Sequence, residues 1–170
     1  MSGNAFKRNV MLLVLGLALL MGAGCAKKQV ASTPGAGGEG QGGMNAAELA
    51  ARELEEAKRI LVTEKIYFAF DSSELTAEAR NILNRKADVL KSKRDLKVLV
   101  EGHCDERGTD EYNMALGNRR SHATYKYLVT LGVSERQLET ISYGEERPVD
   151  PGHTESAWAN NRRCEFKLVW

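Results

Sequence analysis

The stretch Gly102-His103-Cys104-Asp105-Glu106-Arg107-Gly108-Thr109-Asp110-Glu111-Tyr112-Asn113 joins an apolar run, Val98-Leu99-Val100, to a segment with helical spacing. A β-rich run that breaks into a glycine-bounded polar loop and resumes as a helix predicts a strand-to-helix turn, a common place for a site. Asn113 and Arg120 are seven residues apart on that helix, about two turns, and so share a face. Asp105 in the loop and Arg120 on the helix can then converge. A carboxylate and a guanidinium held close but not paired to each other suit a ligand carrying both an ammonium and a carboxylate, since arginine grips carboxylate through a two-point fork. The same residues also read as a solvated charged loop with an ordinary ion pair.

Outward from this turn the chain reads β-α-β-α-β-β. In Lys65 to Phe70, Ile66, Phe68 and Phe70 alternate with Tyr67, as in a half-buried strand. Asp71-Ser72-Ser73-Glu74 is a polar turn, and Thr76 is placed to cap a helix running to about Lys93. Ala79, Ile82, Leu83, Ala87 and Leu90 mark its buried face; Arg85, Lys86, Lys91 and Lys93 read as its solvated side. Leu96 to Gly102 is the second strand. The second helix, about Glu111 to Leu131, shows an apolar stripe of Leu116, Ala123, Tyr127 and Leu131 and closes at Gly132. Leu138 to Tyr143 and Arg163 to Val169 are the last strands, separated by a Pro148/Pro151 loop and a helical turn at Glu155 to Asn160. The fold class is α+β: a two-layer sandwich with a mixed four-stranded sheet and helices on one face.

Four segments divide the chain. Residues 1–24 read as an export signal, with Lys7 and Arg8 before the apolar run Val10 to Met21, too short to span a bilayer. The run ends in Gly22-Ala23-Gly24-Cys25, which resembles a lipoprotein cleavage box, although Gly22 stands where that box prefers leucine. Residues 25–43 are rich in Gly, Ala and small polar residues and read as a flexible tether. Residues 44–62, rich in Ala, Glu, Leu and Arg, read as a short helix that either docks or frays. Residues 63–170 form the globular domain.

The whole chain has 170 residues, with 24 Lys and Arg against 23 Asp and Glu, a formal charge of +1. Neither a basic excess nor a basic stripe interleaved with aromatics points to nucleic acid. Cys25, Cys104 and Cys164 lie too far apart for paired zinc spacing. His103, Cys104, Asp105 and Glu106 are adjacent and lack a second ligand cluster, so no metal is expected. Cys104 and Cys164 are open to two readings, a disulfide or two buried thiols. Asp105 with Glu106 makes a poor glycosidase pair, because neighbours rarely face each other across a substrate. With no serine elbow and no zincin motif, the chain is not expected to be an enzyme.

Gly102-His103-Cys104-Asp105-Glu106-Arg107-Gly108-Thr109, with Tyr112-Asn113, Leu116-Gly117 and Arg119-Arg120, resembles the signature of the OmpA-like peptidoglycan-binding domains. Phe68-Ala69-Phe70-Asp71-Ser72-Ser73-Glu74-Leu75, Ile141-Ser142-Tyr143-Gly144, Arg147-Pro148-Val149 and Asn161-Arg162-Arg163 extend the likeness from about Ile66 to Phe166. Within that family the chain is similar to the peptidoglycan-associated lipoproteins. The resemblance implies a ligand, the diaminopimelate residue of the peptidoglycan stem, with Asp105 taking its ammonium and Arg120 its carboxylate. Asn113 would bond the ligand or brace the loop, while Asp71 and Ser72 would line the other side of the groove; Arg119 would point elsewhere. It also implies that Cys25 becomes an acylated first residue carrying N-acyl and S-diacylglycerol lipid in the outer membrane, with the domain in the periplasm and no other cofactor. The implied partners are TolB and the Tol system, with roles in envelope integrity and cell division. A Tol-system adaptor with incidental wall binding is the rival from the same resemblance.

Overall fold

The computed structural model describes residues 45–170; the export signal expected at 1–24, the tether expected at 25–43 and the lipidation expected at Cys25 lie outside the described residues. Helix α1, Ala46–Thr63, opens on a capping box in which Asn45 and Glu48 satisfy each other's backbone N–H groups. Its upstream half is exposed, and its downstream half buries Ala57 and Leu61 against the domain. Helix α2, Ala77–Ser92, begins at Thr76, whose hydroxyl accepts from the Ala79 N–H as its position predicts. Helix α3, Asp110–Thr130, is capped in the same way by Thr109. A short α4, Glu155–Asn161, precedes the last strand.

Four strands, β1 (Ile66–Tyr67), β2 (Lys97–His103), β3 (Leu138–Gly144) and β4 (Arg163–Val169), form one mixed sheet in the order β1-β4-β2-β3. β4 is antiparallel to both β1 and β2, while β2 and β3 are parallel and require the α3 crossover between them. Val98, Val100, Cys164 and Phe166 turn to the face covered by α1, α2 and α3 and join Leu61, Ile66, Leu83 and Leu90 in the core. The other face is a charged lattice. Burial pushes the Glu165 carboxyl up, yet bonds from Arg163, Lys65 and Lys167 prevail and hold it at about 2. Residues 42–170 make up one unit with this self-contained core, so a fragment from Gly42 onward is suited to fold alone.

Three expectations need correction. The first strand pairs over only two residues, because beyond Tyr67 the ladder is replaced by Arg162. Its backbone carbonyl accepts from the Phe68 N–H at 2.9 Å, and its guanidinium donates to the Phe68 carbonyl at 3.2 Å. Phe68 is buried with Ile66, but Phe70 is exposed. Lys86, read as part of a solvated face, is fully buried. Its ammonium donates to the Ile60 and Leu61 carbonyls at 2.9 and 2.6 Å, closing the last turn of α1, and lies 4.5 Å from the centre of the Phe166 ring. The buried face of α3 is not the apolar stripe: besides Leu116 and Leu128 it presents Asn113, Gly117, Arg120, Ser121 and Thr124. Gly102, with Gly117 opposite, is the reason α3 lies so close to the sheet: the Gly117 carbonyl occupies the place that a Cβ on Gly102 would take.

Candidate functional site

The sheet delivers the end of β2 to the site, and the loop after it turns at once into α3. The Cys104 N–H bonds the Gly144 carbonyl at 2.7 Å, Gly108 takes the left-handed φ of 123° that the turn requires, and Thr109 starts the helix. Across from this loop stands the β1–α2 connection. Between them lies a cavity of about 230 Å³ whose walls include Phe70, Asp71, Asp105, Tyr112, Asn113 and Arg120. The structure therefore brings together four of the five binding residues named from sequence. Ser72 stands behind the wall: its hydroxyl accepts from the Glu74 N–H and its carbonyl from Arg120.

Asp105 and Arg120 share the cavity without pairing with each other, and each is engaged elsewhere. Both oxygens of Asp105 accept from Arg107, at 3.1 and 2.8 Å, and one also accepts from Arg162 at 3.2 Å. Burial pushes its carboxyl up; the two guanidinium partners outweigh that and hold it below the usual aspartate value. Arg120 is fully buried, which presses its pKa down. Its Nε donates to the Ser72 carbonyl at 2.8 Å, Nη1 to the His103 carbonyl at 2.9 Å and the Cys104 sulfur at 3.4 Å, and Nη2 to the Ala69 carbonyl at 3.2 Å. Four of the five N–H groups of a guanidinium are thus committed, leaving one on Nη2 for a ligand. Rather than an open two-point fork, Arg120 is a clamp that holds both loops at the cavity floor.

Asn113 braces the loop, its amide donating to the Asp105 and Arg107 carbonyls at 3.2 and 3.3 Å and to the Glu145 carboxylate. Asp71 is exposed, accepts from the Tyr112 hydroxyl, and is the described non-glycine residue with a left-handed φ, 52°. Such a backbone costs on the order of 1 kcal/mol or more and recurs at ligand-holding positions. Glu106 turns away from Asp105 to His153 and Trp158, so the two adjacent carboxylates do not face one another. Cys104 and Cys164 are buried free thiols, which decides between the two readings of that pair, and burial pushes them up to about 11 and about 12.

Several site residues are not singled out by the sequence reading. The Arg107 guanidinium is sandwiched 4.1 Å from the Phe70 ring and 4.2 Å from the Trp158 ring, and it bonds Glu155 as well as Asp105. Arg162 links Asp105 to Glu155 from the other side. Spacing in a loop two residues from Asp105 hints at Arg107, whereas Arg162 stands in the Asn161-Arg162-Arg163 motif with nothing local to tie it to Asp105, 57 positions upstream. Arg119 is not among the cavity's lining residues, and its guanidinium lies 5.5 Å from the centre of the Tyr112 ring.

Comparison with known proteins matches residues 67–162 to the model of the OmpA family. A peptidoglycan-associated lipoprotein from Pseudomonas aeruginosa is 47% identical over 159 residues, covering 90% of this chain and 93% of the relative. Among solved structures, the crystal structure of the peptidoglycan-associated lipoprotein from Burkholderia pseudomallei superposes with a TM-score of 0.62 at 41% identity, over 63% of this chain and 91% of that one. The C-terminal domain of Helicobacter pylori MotB superposes at 0.59 with 21% identity, over 63% and 84% of the two chains, a likeness of fold.

Proposed function

The chain belongs to the OmpA family, among its peptidoglycan-associated lipoproteins, and from that premise we propose that it is an outer-membrane lipoprotein whose periplasmic domain grips the diaminopimelate-containing stem of peptidoglycan without covalent chemistry. The observation that carries this reading is the cavity in which Asp71, Asp105 and Arg120 stand together unpaired with one another. A side chain ending in an ammonium and a carboxylate matches it. The ammonium approaches Asp71 and shares Asp105 with the arginines already on it. The carboxylate reaches the last free N–H of Arg120, where the buried cation adds long-range attraction. Each charge-assisted hydrogen bond contributes roughly 1.5–3 kcal/mol.

Cys25, acylated, anchors the other end in the membrane, since each buried methylene contributes about 0.8 kcal/mol. No helix of the described residues is long and apolar enough to cross a membrane. TolB is the proposed protein partner within the Tol–Pal system, on a surface overlapping the stem site, and the role is in envelope integrity and cell division; no catalysis is assigned.

Calorimetry on the Gly42–Trp170 fragment tests the stem reading. A diaminopimelate stem peptide is expected to bind saturably, and its lysine counterpart, lacking the distal carboxylate, to bind about ten- to a hundredfold more weakly. Equal affinity for the two peptides would refute the role given to Arg120.

A further inference from the structure

Beyond the cavity, the β1–α2 connection and the first turn of α2 leave a shallow, open groove along the outer side of α3. One stretch of about 600 Å³ is lined by Ser73, Asn118, Arg119, His122 and Lys126, and a second of about 640 Å³ by Arg80, Tyr127 and Glu74, with Ser73, Ala123 and Lys126 common to both. The groove opens beside the cavity. Ser73 is two residues from Asp71, within about 7 Å along the chain. Arg119 forms the junction, its guanidinium 5.5 Å from the ring of Tyr112, whose hydroxyl bonds Asp71 on the cavity wall.

The charge along this groove is lopsided. Arg80, Arg119 and Lys126 take part in none of the ion pairs among the described residues, whereas Arg85, Lys91 and Lys93 on α2 and the turn after it each have a carboxylate. Glu74 is the one carboxylate on its walls. Three cations without a direct ion pair, against one carboxylate on the walls, raise the local potential and favour an anionic occupant.

We infer that this groove takes the anionic remainder of the stem peptide, specifically the free α-carboxylate of the γ-linked glutamate that precedes diaminopimelate, with Arg119 and Lys126 as its partners. This rests on the reading of the cavity as the diaminopimelate site. One diaminopimelate side chain and one γ-peptide unit span on the order of 10 Å, which carries that carboxylate from the cavity past Tyr112 to Arg119. The groove then acts as a second selector: it prefers stems whose glutamate is a free acid over those in which it is amidated.

The test compares two synthetic tripeptides, L-Ala-γ-D-Glu-diaminopimelate and its D-isoglutamine analogue, titrated into the Gly42–Trp170 fragment and into Arg119→Gln/Lys126→Gln. The substituted side chains are on the outer face of α3, and circular dichroism checks the fold. Amidation is expected to weaken binding to the unaltered fragment about tenfold, less as salt rises, and to weaken binding to the double variant less than about twofold. Equal affinity of the unaltered fragment for both tripeptides, or a full amidation penalty in the double variant, would overturn the groove assignment while leaving the cavity reading intact. Failure of the unaltered fragment to bind either tripeptide would sink both.

Discussion

Gly102→Ala tests whether the close approach of α3 to β2 is what builds the site. A Cβ at Gly102 falls 2.0 Å from the Gly117 carbonyl oxygen and 2.7 Å from its carbon, both backbone atoms that no rotamer change can move. Ordinary contact begins at 3.4 Å, so α3 must retreat by about 1.4 Å. Arg120 is one turn further along the same helix, and its bonds of 2.8, 2.9 and 3.2 Å to Ser72, His103 and Ala69 would stretch past hydrogen-bonding range. Overpacking costs about 1–3 kcal/mol, and each lost charge-assisted bond roughly 1.5–3. Allowing for relaxation, the loss is at least about 4 kcal/mol, on the order of 15 °C in Tm for a unit of this size. Thermal unfolding of the Gly42–Trp170 fragment by circular dichroism measures it, with stem-peptide titration below the transition as the functional readout. Gly117→Ala provides the internal control. Its nearest clash, 2.3 Å, is with the Ser142 hydroxyl, which can rotate, and its next, 3.0 Å, is with the Gly102 carbonyl oxygen. It should cost clearly less. A Gly102→Ala protein within about 1 kcal/mol of the parent, or a reversed order of the two variants, would show that this close approach does not build the site.

Lys86 and the buried thiols give two further tests. Burial lowers the Lys86 pKa from 10.5 to about 8; above that the folded state sheds its proton while the unfolded state keeps one, so stability rises with pH in this window. Relative to Lys86→Met, the parent fragment should gain about 1 kcal/mol between roughly pH 8 and 9 in urea unfolding, and parallel profiles would contradict a buried, charged Lys86. A thiol–disulfide reagent near neutral pH should label Cys104 and Cys164 at least about a hundredfold more slowly in the native fragment than in urea, because both are buried and poorly ionised; rapid native labelling of Cys104 would mean that the cavity floor is open to solvent.

What was legible in the sequence was what periodicity and capping encode locally. Thr76 starts α2 and Leu83, Ala87 and Leu90 face inward as read, because an amphipathic stripe and a capping hydroxyl act within one or two turns. The stripe on α3 misled because its buried face is largely polar, packed through Gly117 and hydrogen-bonded through Asn113 and Arg120 instead of apolar area. Lys86 was placed outside because its partners, the end carbonyls of α1, are 25 and 26 residues away and belong to backbone that has no signature. At the site, the convergence of Asp105 and Arg120 followed from loop and helix geometry. That each is already held is legible only in part: Arg107 is two residues from Asp105, but Arg162 and the Ser72 and Ala69 carbonyls on Arg120 arrive from distant parts of the chain.

The antiparallel pairing of α1 and α2 determines how the molecule bears tension. Glu64 meets Arg85 and Glu53 meets Lys93, so α1 runs back along α2, away from the cavity end, and Asn45 lies about 12 Å beyond Glu53. A pull between Asn45 and a ligand in the cavity is directed along the axis of α1. Leu61, Ala57, the Lys86 clamp and both ion pairs are then loaded together in shear rather than peeled one at a time. Forced rupture in that geometry is governed by an unfolding rate rather than by an equilibrium, which suits the proposed linkage between a lipid anchor and the wall.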